Sequence, residues 1–177
     1  ARIIPYRGAW VEFEFDINDL IHVYVDRRRR FLATTFLRIF GYPTDADILK
    51  AVCEVEKHEL ARSAQLEKLI GLTLASDVVV KETNTLIAER FDKITKEIAE
   101  RIWESPVRKI ETLLYPMPEL INTVRRDHAK NADDAAMDIY RKLRPGDPPT
   151  PESARGLIER LFFDAKRYDL GRVGRHM

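Results

Sequence analysis

Cysteine is almost missing from this chain: Cys53 is the only one in 177 residues. That excludes an internal disulfide and any metal site built on clustered thiolates. Its setting, AVCEVE, reads as a helix face on which a thiol packs as a small apolar group, and a reducing cytoplasm is the expected location. Excess charge of either sign is missing too. Thirty Lys and Arg face 29 Asp and Glu, for a net charge of +1, so bulk electrostatics does not mark a nucleic-acid binder and any such contact must be local. No apolar run approaches the roughly 20 residues that cross a bilayer, and the first residues lack the charged-then-apolar layout of a signal peptide, so no membrane partner is expected. The four histidines, His22, His58, His128 and His176, are scattered and show no HExxH spacing. Asp45/Asp47 and Asp133/Asp134 sit at helix starts, where capping explains negative charge without a metal. There is no internal repeat, no low-complexity tract and no self-contained catalytic constellation.

What is present is concentrated in residues 2–30, RIIPYRGAWVEFEFDINDLIHVYVDRRRR. Val11, Phe13 and Phe15 alternate with Glu12, Glu14 and Asp16, which predicts a strand with one buried and one wet face. Ile21, Val23 and Val25 alternate with His22, Tyr24 and Asp26 in the same way. If the two apolar faces coincide in an antiparallel pair, opposed residue numbers sum to an even value such as 36 or 38, and Trp10 faces Asp26 or Arg28. Trp10 is in phase with the carboxylates, so the register sets a large ring on the polar face beside guanidinium groups. An unpaired base can stack on such a ring while its phosphates meet the arginines. The competing reading is that another segment covers Trp10 and that Arg27 or Arg28 pairs with Glu12 or Asp26 on the sheet.

Beyond the hairpin, apolar residues at helical spacing predict a helix over 31–41 closed by Gly41. Thr44 begins another as N-cap, and 54–70 reads as charged helix with a break. Residues 71–114 read as strand, helix, strand, with Thr95 capping the helix and Ser105-Pro106 ending it. A helix over 120–144 is interrupted around 128–131. The RPGDPP elbow that follows cannot be helical, and Thr150-Pro151 starts the next helix. The expectation is one α+β domain over 1–177, an antiparallel hairpin or sheet packed with several helices, with a small strand-helix-strand subdomain at 71–114.

Four blocks, RIIPYRGAWVEFEFD at 2–16, DRRRRFLATTFLRIFGY at 26–42, IYRKLRPGDPPTPESA at 139–154 and LFFDAKRYDLGRVGR at 161–175, carry a resemblance. They resemble, in the same order, the lobe (β2) segment of the β subunit of bacterial multisubunit RNA polymerase. The resemblance implies that Trp10 stacks on an unpaired non-template base near the downstream edge of the transcription bubble, with Arg7, Asp26, Arg27 and Arg28 contacting that strand and its phosphates. It implies that Arg144 and Arg167 approach the displaced strand further upstream. It also implies a DNA-directed nucleotidyltransferase whose Mg²⁺ is held on another subunit, with no cofactor on this chain and no catalytic residues in it. The partners implied are DNA (non-template strand and downstream duplex), the α, β′ and ω subunits, and a σ factor. Arg30 and Leu32 stand where the family commonly has lysine and proline. Because the chain opens on Ala1 and ends at GRHM, where that family runs on, a piece of a longer subunit is expected. Two other functions compete: a docking module for σ or other transcription factors that uses charged helix faces without base stacking, and an independent DNA-binding protein, which bulk neutrality disfavours.

Overall fold

The structure, a computed structural model, describes residues 1–27, 29–60 and 66–175. It is α+β with antiparallel sheets, and it divides into two compact units, one of Ala1–Ile48 with Pro118–Met177 and one of Leu49–Met117. The expected 71–114 subdomain lies inside the second.

In the first unit, β1 (Arg2–Ile3), β2 (Val11–Phe15), β3 (Ile21–Val25) and β4 (Arg29–Leu32) form a four-stranded antiparallel sheet in that order. Val11 opposes Val25 and Phe13 opposes Val23, so opposed numbers sum to 36. That is one of the two registers that keep the apolar faces together. Val11, Val23, Val25 and Phe31 bury against α1 (Ala33–Ile39), α6 (Ala132–Leu143) and α7 (Pro151–Ile158) through Phe36, Ile139, Tyr140, Ala154 and Leu157. Phe36 is the hub, with ring centroids 6.3 Å from Phe13, 4.7 Å from Phe40 and 5.5 Å from Phe162. Phe162 reaches it from a π-helical turn, Glu159–Phe163, that continues α7.

The alternation holds at the centre of the hairpin and fails at its edges. Phe15, expected inside, is 66% exposed. Glu12 and His22, expected wet, are buried. Burial pushes the His22 imidazole below its ordinary pKa, and the Arg30 charge adds to that effect. Arg29 and Arg30, read as part of a lead into a helix, instead open the edge strand β4, which buries Phe31 completely.

Local capping sets the helix starts. The Thr95 side chain accepts from the Ile98 N–H at 3.3 Å at the head of α4 (Lys96–Glu104), and Thr150 and Ser153 form a reciprocal box at α7. Thr44 accepts from the Asp47 N–H at 3.2 Å at the start of α2 (Asp45–Val52). Gly41, at φ +97°, lets the chain leave α1 in the left-handed region. The expected interruption near 128–131 separates α5 (Pro118–Arg126) from α6, whose N-cap Asn131 accepts from the Asp134 N–H at 2.8 Å.

A buried ionic network underlies that interruption. Asp127 Oδ2 accepts from Thr34 Oγ1 at 2.6 Å and from Arg38 Nε at 3.5 Å, while its Oδ1 accepts from Thr35 Oγ1 at 3.0 Å and from the Ala129 N–H at 2.9 Å. Arg38 also donates to the Pro43 carbonyl at 2.8 Å and to Asp45. Every polar atom of this group has a partner of the right kind, which is the condition for tolerating charge in a core.

The second unit holds a three-stranded sheet, β5 (Val55–Glu59), β9 (Lys109–Leu113) and β6 (Thr73–Leu74) in spatial order, and a two-stranded one, β7 (Val78–Val80) with β8 (Thr85–Ala88). Leu74, Val78, Ile94, Ala99, Ile102 and Ile110 make its core. Here the helix expected over 54–70 is overturned at Val55–Glu59, a strand paired with β9. The short α3 (Leu66–Leu69) is its only described helical part, and 61–65 lie outside the described residues. Opposite charges across the ladder explain the strand: Glu59 faces Lys109 at 2.9 Å and Lys57 faces Glu111 at 3.5 Å. Among the described residues no helix is long and apolar enough to cross a membrane.

Candidate nucleic-acid interface

Trp10 sits immediately before β2 and is 37% exposed. Its backbone extends the β2–β3 ladder by one pair: the Asp26 N–H donates to the Trp10 carbonyl at 2.9 Å, and the Trp10 N–H donates to Asp26 Oδ1 at 2.8 Å. Asp26 therefore faces Trp10, and its carboxylate is occupied in fixing the indole's backbone. Asp26 and Arg27 both take left-handed backbone, φ +51° and +56°. Asp is among the few side chains that tolerate this conformation and Arg is not, so the turn between β3 and β4 is held by its contacts. The Arg27 guanidinium carbon lies 5.4 Å from the centroid of the Trp10 ring, within cation–π range. Arg27 Nε also donates to Glu12 Oε1 at 3.0 Å.

Glu12 receives Arg2 from the edge strand as well, at 3.0 Å. The hydrogen bond from Arg27, with the charges of Arg2 and Arg27, outweighs desolvation and holds the Glu12 carboxyl below its ordinary pKa. Arg2 and Arg27 are thus balanced by Glu12 and Asp26. What the group offers a ligand is chiefly an oriented ring.

Arg7 and Arg167 come together at a second place in the same unit. Arg7 and Asp169 form an antiparallel bridge, with N–H to carbonyl distances of 3.1 and 2.8 Å, and an Arg7 guanidinium nitrogen donates to the Lys166 carbonyl at 3.0 Å. Arg167 pairs with Asp164 at 3.4 Å. Arg144 follows α6 and lies 3.9 Å from Asp147 within the proline elbow. No described contact joins it to Trp10. Arg28 lies outside the described residues.

In the sequence Glu12 reads only as an ion-pair partner for Arg27 or Arg28, and nothing there marks Arg2. The register that opposes Glu12 to Tyr24 was within reach of the alternation, but the pairing of Arg2 with Glu12 needed a two-residue strand that carries no periodic signal. Among the described residues no group of three or more His, Cys, Asp or Glu side chains is placed to hold a metal ion.

No protein-family model matches the chain. It is 42% identical over 180 residues to the DNA-directed RNA polymerase subunit beta of Protochlamydia amoebophila, covering 99% of this chain and 14% of that protein. The same identity extends over 183 residues, with the same coverage, to the corresponding subunits of Chlamydia muridarum and Chlamydia trachomatis serovar L2. Over nearly its whole length the chain is homologous to a segment of the β subunit of DNA-directed RNA polymerase. It spans about 14% of the length of the curated relatives it matches.

Proposed function

We propose that this chain is the lobe of a bacterial RNA polymerase β subunit, a wall of the downstream DNA channel that holds the non-template strand of the transcription bubble by stacking an unpaired base on Trp10. Its role is to hold DNA. Nucleotidyl transfer with Mg²⁺, which needs a tight carboxylate cluster, belongs to another subunit. The working assembly comprises α, β, β′ and ω subunits with a σ factor. One observation carries the reading: a half-exposed tryptophan whose backbone is pinned by Asp26 and whose ring is met by Arg27. An aromatic fixed on a polar strand face accepts any base, because every base has a π-face. Arg7, exposed, is a further contact to that strand, and Arg144 and Arg167, also exposed, serve the displaced strand further upstream.

The test is the lifetime of open complexes on promoter DNA, with the segment in its full β subunit and the polymerase reassembled. Trp10→Ala is expected to shorten that lifetime by about 5- to 150-fold, the equivalent of one base–aromatic stack. Trp103→Ala, in α4, should leave it unchanged. Equal lifetimes for both variants and wild type would remove the stacking role and favour a docking surface for σ.

A further inference from the structure

We infer that Glu12 is a positioning residue for the stacking platform, acting on Trp10 through Arg27. The inference rests on the base-stacking reading above. Glu12 is only 5% exposed and lies on the polar side of β2, where alternation predicts a solvated carboxylate. It is buried because two guanidinium groups enclose it, Arg2 across the β1 ladder and Arg27 from the β3–β4 turn, each 3.0 Å from Oε1.

Arg27 on its own would be a poor ring partner. It is exposed, sits on a left-handed turn and carries several rotatable bonds. The buried carboxylate removes that freedom: one guanidinium edge is bound to Glu12 while the guanidinium carbon stays 5.4 Å from the indole centroid. Asp26 fixes the Trp10 backbone and Glu12, through Arg27, restricts its side chain. Arg27 lies over the ring, and Trp10 stays 37% exposed, which leaves part of the indole open to a base. An indole ordered before binding loses less conformational freedom when the base arrives, so the carboxylate strengthens stacking without touching DNA. Arg2 holds the other side of Glu12 and keeps it from following Arg27 into solvent.

The experiment compares open-complex lifetimes of the reassembled polymerase on promoter DNA with an intact non-template strand and with single abasic sites stepped through the unpaired segment. The readout is the ratio of intact to abasic lifetime at the most sensitive position. Phosphate contacts and general damage to the fold affect both templates and cancel in this ratio. Wild type should show a ratio of about 5 or more, and Trp10→Ala should bring it to unity. Glu12→Gln and Arg27→Ala should each bring it at least halfway there on a logarithmic scale, and adding Glu12→Gln to Arg27→Ala should change nothing further. Because Arg27 is exposed, Arg27→Ala removes the same contact without replacing a buried side chain. The inference is overturned if Glu12→Gln keeps the wild-type ratio while Trp10→Ala loses it, or if Glu12→Gln lowers the ratio equally with and without Arg27. A ratio that Trp10→Ala leaves unchanged at every position instead defeats the stacking reading itself, and the role of Glu12 with it.

Discussion

Asp127→Ala is expected to cost the first unit about 3–5 kcal/mol, the loss typical of removing one partner from a buried ion pair. Asp127 is 4% exposed and Arg38 1%. The carboxylate takes four hydrogen bonds, from Thr34, Thr35, Arg38 and the Ala129 N–H. Its removal strands two hydroxyls and a backbone amide away from water and leaves Arg38 with Asp45 and the Pro43 carbonyl. The consequence is structural as well as energetic, since Asp127 ties α1 to the junction of α5 and α6. The exposed pair Arg155–Asp133 is the natural comparison. Both guanidinium contacts are 2.8 Å, yet Asp133→Ala should cost no more than about 1 kcal/mol because water replaces the lost partner. Urea unfolding reads both variants in a Trp103→Phe background, where Trp10 is the single fluorescent reporter of its unit. A loss below about 1 kcal/mol for Asp127→Ala would mean that this network contributes no more than a surface pair.

Gly8→Ala is the second large effect. Gly8 has φ +121°, and a Cβ there would lie 2.5 Å from Tyr168 Cδ2, 3.1 Å from the Arg167 carbonyl oxygen and 3.2 Å from Tyr168 Cα. The tyrosine ring can shift, but the backbone atoms immediately precede Asp169, whose pairing with Arg7 resists their displacement. The expected cost combines about 1–3 kcal/mol of backbone strain with about 1–3 kcal/mol of overpacking. Gly146→Ala separates the two, because Gly146 has φ +108° with open space around its missing Cβ and should show the backbone part alone. Thermal unfolding, with hydrogen exchange at the Arg7 and Asp169 amides, measures the difference. Equal stability and equal exchange for the two variants would refute the close approach at Gly8.

These two positions also show what the sequence could and could not reveal. Features that depend on near neighbours were legible. Alternation narrowed the register to even sums such as 36 or 38, and 36 is the one that opposes Val11 to Val25 and sets Trp10 against Asp26; Gly41, Thr44, Thr95 and Thr150 marked helix ends because capping is a contact over three or four residues. Features that depend on distant partners were not legible. Val55–Glu59 looks like charged helix until Lys109 and Glu111 are set opposite it. Arg38 and Asp127 are ordinary charged residues in sequence, separated by 89 positions. In the candidate site, Trp10, Asp26 and Arg27 converge as the hairpin predicts, and Arg7 meets the KRYDL stretch that carries Arg167. The Glu12 link escaped because β1 is too short to announce itself.

The most direct measurement replaces Trp10 with a photoreactive benzoylphenylalanine in the reassembled polymerase and maps its crosslinks in open complexes on promoter DNA. The account predicts adducts on unpaired bases of the non-template strand, lost when that strand is re-paired. Adducts confined to σ, or to duplex DNA, would contradict it.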